Sequence, residues 1–440
     1  MPRKKEEPKE ELVVSVRKSP KLVRGMRDVL PQDQKYWAYI YNKIDELTGT
    51  YQFEKIETPI LEETALYVRG IGKKSDIVEK EMFSFVDQGG SNLSLRPEAT
   101  AGVVRAYINH GMHNLPQPVR LYLTGTFNRH ERPQAGRLRE FHQFDCEALG
   151  DDSPVLDAQV ILIGFNLIKE LGLPVQVQIN SLGCDTCRPE YIEKLSSYYK
   201  IHKKKICEDC QKRLTKNPLR LLDCKNEQCQ EVKLEAPQIV DWLCADCREH
   251  FIKVLEYLDE LEVAYHLNPQ IVRGLDYYNR TTFEYFLEDE EDTKTALGGG
   301  GRYDGLVELL GGPRETPAVG MAIGLERLIA KIRDKNIPVP EKDTPDIFLA
   351  QLGEKARKKS LILFEKLRKA GFKVAESFSK DNLKNQLETA NKLGVKFTLV
   401  LGQKEILDGT ILIRDMEGGI QEVVDYNKIE HEINKRLSKV

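Results

Sequence analysis

Four cysteine pairs crowd one segment of the chain: Cys184-x2-Cys187, Cys207-x2-Cys210, Cys224-x4-Cys229 and Cys244-x2-Cys247. Nothing else in the sequence restricts so sharply what a stretch of it can fold into. The opening residues, "MPRKKEEPKEELVVSVRKSP", mix charges and lack the apolar centre of a secretion signal. The thiols are therefore expected to be reduced, which argues against disulfides. Two readings stay open. Pairs at this spacing are what one or two tetrahedral zinc sites with four cysteine ligands require, the metal being structural and holding a small domain with little core of its own. Alternatively, the reduced cysteines pack as small apolar side chains. Cys146 stands apart and is expected in the core.

At 440 residues the chain has room for two or three domains and a large core. A hydrophobic share of 40%, a charged share of 31% and a net charge of −3 describe a globular protein. They exclude a polycation but leave room for a local basic groove. No apolar run approaches the ~18 residues a membrane span needs, so no membrane helix is expected. Residues 1–20 read as a solvated, disordered tail.

Periodicity then divides the chain. "DQKYWAYIYNKIDELTGTY" repeats Tyr36, Ile40, Ile44 and Leu47 at helical spacing. "FEKIETPILE" reads as a strand stopped by Pro59. Residues 155–171 read as a buried helix, and Val175, Val177 and Ile179 alternate as in a half-buried antiparallel strand. Residues 270–287 suggest a strand pair, and "AVGMAIGLERLIAKIRD" a strand running into a helix. Beyond the proline-rich linker 336–345, "DIFLAQLG", "FKVAESF" and "VKFTLVLG" alternate with helices, the second opening on Asp381 as N-cap. That alternation predicts a small α/β domain with a largely parallel sheet.

Chemistry-bearing stretches are individually weak. "FNRHERPQAGRLREFHQFD" (127–145) sets Arg129, Arg132, Arg137 and Arg139 between apolar segments, which a solvated surface hairpin would also explain. "LGGGGRYDGL" (297–306) matches neither a P-loop nor a dinucleotide fingerprint, yet four glycines demand close backbone approach to a strand or a ligand. "VRGLDYYNRTTFEYF" puts Arg273, Asp276, Tyr277 and Tyr278 before a strand, where a guanidinium suits phosphate or carboxylate. "LSLRPEATAGVVRAY" sets Arg96 and Glu98 at a strand-to-helix junction; Glu98 either caps the helix or receives an ammonium group.

In order, these stretches resemble bacterial histidyl-tRNA synthetases, class II aminoacyl-tRNA synthetases, from about Lys21 to the C-terminus. The segment around "FEKIETPILE" is similar to class II motif 1, the dimer-forming element; "FNRHERPQAGRLREFHQFD" is similar to motif 2. "AVGMAIGLERL" is similar to motif 3, and "RGLDYY" and "GGGGRYDGL" to the two histidine-enzyme signatures. The resemblance implies an α+β fold: a catalytic domain of antiparallel sheet flanked by helices (21–182 and 261–335), a small helical, Cys-rich insertion (183–260) and a C-terminal α/β anticodon-binding domain (346–440). It implies a cytoplasmic homodimer that uses ATP with Mg2+, L-histidine and tRNA(His), with no membrane partner. Histidine would be activated to histidyl-adenylate with release of pyrophosphate, then passed to the 3′ end of the tRNA.

By the same resemblance, Arg129 and Arg273 would act at the α-phosphate, and Glu131, Arg137 and Arg327 would bind the rest of ATP. Glu98, Ala99, Thr100, Gln143, Glu147, Tyr277, Tyr278 and Tyr303 would form the histidine pocket. Glu98 and Thr100, with Gln143 beside them, would take the α-ammonium; Glu147 and Tyr278 would meet the imidazole, and Tyr303 would close the pocket. Thr100 and Tyr303 could equally be packing residues. Arg132 and Gln134 would read the tRNA acceptor end. Ala99 stands where the family commonly has glycine, a methyl expected to tighten or shift the pocket. A silent paralogue serving as the regulatory subunit of ATP phosphoribosyltransferase is the alternative. Such a protein typically erodes the four ATP-clamping arginines and lacks the C-terminal domain, and neither loss is seen here.

Overall fold

The computed structural model describes residues 19–73, 75–131, 137–288, 296–341 and 344–438. The chain forms two compact units, one through Val339 and one from Pro340 onward. Among the described residues no helix is long and apolar enough to cross a membrane.

The first unit is built on an eight-stranded sheet. Its strands are β1 (Glu54–Lys55), β5 (Val119–Asn128), β6 (Glu140–Leu149), β7 (Val175–Ser181), β8 (Tyr265–Leu267), β9 (Asn279–Leu287), β10 (Gly298–Arg302) and β11 (Ala318–Gly324), in the order β1-β5-β6-β11-β10-β9-β7-β8. Only the outermost pairs, β1 with β5 and β7 with β8, run parallel. A separate small sheet joins β2 (Leu61–Glu63), β4 (Asn92–Leu95) and β3 (Ser84–Val86). Pro59 thus separates two short strands, β1 and β2, rather than ending one. Residues 270–287 hold one strand, β9, preceded by a loop; Arg273, Asp276, Tyr277 and Tyr278 lie in that loop.

Strand alternation sorts each β6 side chain to a face. Phe144, Cys146 and Ala148 join the core with the buried helix Pro154–Glu170, while Gln143, Asp145 and Glu147 face the other way. The helix Gln34–Thr50 covers the same core with Trp37, Ile40, Ile44 and Leu47. Trp37, not Tyr36, is its buried aromatic; Tyr36 stays at the rim, with the Arg333 guanidinium 4.4 Å from its ring centroid. Arg302 is buried in a polar knot, its Nε bonding Asp157 at 2.9 Å, where His250 at 2.8 Å and Thr281 at 2.6 Å also converge. The knot joins β10, β9, the helix Pro154–Glu170 and the helix Ala245–Glu260, which closes a helical insertion between β7 and β8.

The C-terminal unit has five strands: β12 (Ile347–Gln351), β13 (Val374–Glu376), β14 (Phe397–Leu401), β15 (Thr410–Asp415) and β16 (Gln421–Asp425), in the order β13-β12-β14-β15-β16. The first three are parallel, but β15 and β16 are antiparallel, so the sheet is mixed rather than largely parallel. The N-cap of the helix Leu383–Leu393 is Asn382, which accepts from Lys384 N at 2.8 Å, not Asp381. Asp381 instead pairs with Arg357.

Candidate active site

One cavity of about 350 Å³ opens on the sheet face presented by Gln143 and Asp145. One end is acidic. Glu98 is buried and accepts from Thr100 N at 2.8 Å and Ala101 N at 2.9 Å, so it does cap the helix Thr100–Asn109. The Tyr277 hydroxyl donates to it at 3.3 Å. Glu147 lies behind the cavity wall and accepts from the Thr100 hydroxyl at 2.6 Å and from the Tyr303 hydroxyl. Gly320, opposite Glu147 on β11, makes room for it: a β-carbon there would collide with the carboxylate. Asp145 Oδ2 and Gln143 Oε1 are buried without a partner.

Three buried carboxyl groups thus stand close together. Burial, opposed in part by the helix amides, raises Glu98. Burial, followed by Glu147 and Glu98, raises Asp145 well above the ordinary range. Burial pushes Glu147 up to about 8, against the pull of the Thr100 and Tyr303 hydroxyls. Buried acids with orphaned acceptors form a site short of positive charge.

The other end is cationic. Arg129, Arg137, Arg273 and Arg327 all line the cavity. Arg129 Nε bonds Pro97 O at 2.9 Å, and its guanidinium lies 5.3 Å from the Phe141 ring centroid. Arg273 bonds Glu284 Oε1 at 2.9 Å and sits 5.3 Å from the Tyr278 ring centroid. The glycine run serves this approach: a β-carbon on Gly299 would stand 2.8 Å from the Arg273 guanidinium and 2.5 Å from Phe283 O. Arg137 pairs with Glu131 at 3.0 Å. Burial, then neighbouring Arg137, lowers the Arg327 guanidinium, a sign of cations gathered at close quarters.

Not every expected residue reaches the cavity. Ala99 is buried against Leu123 and Phe127, so its methyl fills core rather than narrowing the pocket. Tyr303 is fully buried behind Tyr277 and Tyr278, at ring-centroid distances of 5.7 and 6.5 Å. Arg96 is structural, giving its donors to Thr126 O and Thr58 O. Asp276 turns away to Asn217. Arg132 and Gln134 lie outside the described residues. Asp145, Glu284 and Arg27 line the cavity without having been singled out. Asp145 was within reach of the pattern, since period two places it on one face with Gln143 and Glu147.

An antiparallel sheet bearing an arginine-lined cavity, with motif 2 on β5 and β6 and motif 3 on β11 and its following helix, defines a class II aminoacyl-tRNA synthetase. Residues 25–328 match the histidyl-tRNA synthetase family and residues 338–436 an anticodon binding domain. A histidine–tRNA ligase of Dehalococcoides mccartyi strain 195 is 42% identical over 415 residues, 94% of this chain and 99% of that one. The apo histidyl-tRNA synthetase of S. aureus superposes with a TM-score of 0.78 at 35% identity, covering 94% of this chain and 99% of that one. An ATP phosphoribosyltransferase regulatory subunit/histidyl-tRNA synthetase from Bacillus halodurans C has a TM-score of 0.61 at 21% identity, over 86% of this chain and 96% of that one; this likeness shows the fold alone. The chain belongs to the histidyl-tRNA synthetase family, and its activity is histidine–tRNA ligation.

Proposed function

We propose that the cavity carries out both steps of charging, with its acidic end holding histidine and its cationic end holding ATP. The observation that carries this reading is the juxtaposition itself: buried carboxyls with raised pKa values beside five guanidinium groups, those of Arg27, Arg129, Arg137, Arg273 and Arg327. The α-ammonium of histidine answers Glu98, Asp145 and the orphaned Gln143 oxygen. Tyr278 addresses one imidazole nitrogen from the lining. Glu147, just behind it, meets the other where the Thr100 hydroxyl now covering its Oε1 turns aside, with Tyr303 aiming the carboxylate and Tyr277 bracing Glu98. A site built on such bonds can reject isosteres lacking the partner atom by ~10⁴–10⁵-fold.

Histidine's carboxylate then attacks the α-phosphate, and pyrophosphate leaves. Arg129 and Arg273 place fixed positive charge on the phosphate as negative charge gathers there, while Arg137 and Arg327 hold the outer phosphates. Arg137 is half-exposed and its pair with Glu131 is weak, so releasing it to a phosphate costs little. ATP with Mg2+ is the family's nucleotide substrate. Mg2+ takes hard oxygen ligands, and Glu131 and Glu284 are the carboxylates lining this end that fit it. The ion would neutralise phosphate charge. The tRNA's terminal hydroxyl takes the histidyl group in the second step; Arg132 and Gln134 meet the acceptor end, and the C-terminal unit meets the anticodon.

We read 21–182 with 261–335 as the catalytic domain, 183–260 as its insertion and 346–440 as the anticodon-binding domain. A homodimer is supported by exposed Ile60, Leu61, Phe85 and Val86 on and beside the small sheet, next to motif 1. Cytoplasmic placement follows from the substrate, and the eight paired cysteines are assigned to structural zinc rather than to the reaction. Pyrophosphate exchange tests the whole. A panel of amino acids should support exchange with histidine alone, and Arg273→Ala should abolish it. Folded, ATP-saturated protein giving no exchange would favour a regulatory subunit instead.

A further inference from the structure

Eight cysteines take no part in the cavity, yet folding gathers them into two quartets: Cys184, Cys187, Cys244 and Cys247, and Cys207, Cys210, Cys224 and Cys229. Within each, one sulfur from every residue lies within 4.8 Å of all the others. The Cys184 sulfur is 3.8 Å from that of Cys187 and 3.8 Å from that of Cys244; Cys207 and Cys224 are 3.9 Å apart. A disulfide would need ~2.0 Å. Four sulfurs at ~2.3 Å from a tetrahedral zinc stand ~3.8 Å from one another. Thiols that pack merely as small hydrophobes have no reason to collect in fours, twice, around a common centre.

The surrounding backbone agrees. Cys184 N points at Cys187 Sγ at 3.3 Å, and Cys207 N at Cys229 Sγ at 3.2 Å. Amide donors aimed at sulfur stabilise thiolates, the form that binds metal. In each quartet at least one cysteine begins or immediately precedes a helix: Cys187 before Arg188–Ile201, Cys207 before Glu208–Lys216, Cys244 before Ala245–Glu260. The insertion does have an apolar core, with Tyr191, Leu195, Tyr199, Leu214 and Leu221 buried, and clamps at its neck and at its far lobe tie together the chain segments around that core.

Each clamp also reaches the substrate loop. Arg188, next to Cys187, donates to Tyr278 O at 2.7 Å and to Gly183 O at 3.1 Å. Asn217, between Cys210 and Cys224, donates to Asp276 Oδ1 at 3.0 Å. Arg220 packs over Gly274 so closely that a β-carbon there would be 3.2 Å from its guanidinium. The loop so braced carries Arg273, Tyr277 and Tyr278.

We propose that each chain binds two zinc ions, one in each quartet, and that these ions fix the insertion against the loop from Arg273 to Tyr278. Each site takes up Zn2+ and, from neutral thiols, releases up to four protons, leaving a tetrathiolate of charge −2. No electron transfer is involved. The metal count is independent of the active-site reading; the effect on histidine rests on it.

Elemental analysis of untagged full-length protein, purified without chelator, should find two equivalents of zinc. Cys187→Ser and Cys247→Ser should each leave one, as should Cys210→Ser and Cys229→Ser. Pairing one variant from each quartet should leave none. Should a variant fail to fold, Co2+ exchanged into the intact protein should give the intense visible bands of tetrahedral thiolate cobalt at two equivalents. Less than half an equivalent of zinc, with no uptake from a buffered Zn2+ titration and no cobalt bands, would overturn the sites. Loss of both ions from one folded single variant would overturn the pairing. In pyrophosphate exchange, Cys210→Ser should raise KM for histidine severalfold with a smaller change in kcat. An unchanged KM in protein shown to have lost that ion would overturn the bracing, and if wild-type protein itself gave no exchange, the fault would lie with the active-site reading.

Discussion

Glu147 is held as a carboxyl that resists ionisation, its pKa pushed up to about 8 by burial and by Glu98. In the unfolded chain the same group titrates near 4.5. A raised folded value means that its contribution to stability is complete below the unfolded pKa and is lost as pH climbs through the folded one. The gap of roughly 3.5 units corresponds to about 5 kcal/mol lost by pH 9. Glutamine keeps the shape and never ionises. It can accept from only one of the hydroxyls of Thr100 and Tyr303 without one of them turning, which costs about 1–2 kcal/mol at every pH. Glu147→Gln should therefore be less stable than the parent at pH 5 and about 3 kcal/mol more stable at pH 9. For a unit ending at Val339 that is a gain of roughly 4 °C in Tm. Asp145 stays in both proteins, but the Glu147 charge is one of the causes that raise it, so the variant eases Asp145 as well and gains further at high pH. Thermal unfolding without ligand, scanned from pH 5 to pH 9, should show the two profiles crossing. Parallel profiles, or a variant weaker throughout, would refute the account of an ionisation-resistant acid. The same variant should lose at least ~10²-fold in kcat/KM for histidine.

Other consequences are as open to test. Since only about a tenth of Glu147 is ionised at pH 7, KM for histidine should fall roughly severalfold between pH 7 and pH 8.5 if the carboxylate is the binding form, read by exchange at fixed ATP. Arg273→Lys keeps the charge but loses the fork that bonds Glu284, and should cost ~10²–10³-fold in exchange; near-normal rates would show that charge alone suffices there. Gly299→Ala should lower both Tm and exchange, because its methyl meets Phe283 O at 2.5 Å and crowds Arg273; an unaffected variant would show that the approach is not needed. Ala99→Gly should leave KM for histidine within about twofold and cost about 1 kcal/mol of stability, since the methyl packs against Leu123 and Phe127. A large change in KM would return Ala99 to the pocket.

What the sequence made legible follows from what each residue is asked to do. The arginines of motif 2 and of the loop before β9 stood out because guanidinium groups between apolar runs are expensive unless something meets them. Central strands such as β12 and β14, buried along their whole length, read plainly as apolar runs, whereas β15 buries only Ile411 and Ile413 and the edge strand β16 is mostly exposed, so the antiparallel half of the sheet gives a weaker signal than the parallel half. Ala99 sits between the cavity residues Glu98 and Thr100 in the chain, and Tyr303 a few residues beyond the cavity glycines Gly298 and Gly299, and only packing shows that neither reaches the lining. Glycine was ambiguous in the same way. Gly299 and Gly320 both leave room for an ionisable side chain to lie against bare backbone, one for Arg273 and the other for Glu147. A glycine reports that something comes close and never what. The identity of the neighbour is set by strand register, Gly320 against Glu147 and Gly299 against Glu284, and register is a property of the folded sheet. Hence the acidic and cationic ends of one cavity, drawn from segments far apart in the chain, become a single site only through the pairing of β6, β11, β10 and β9.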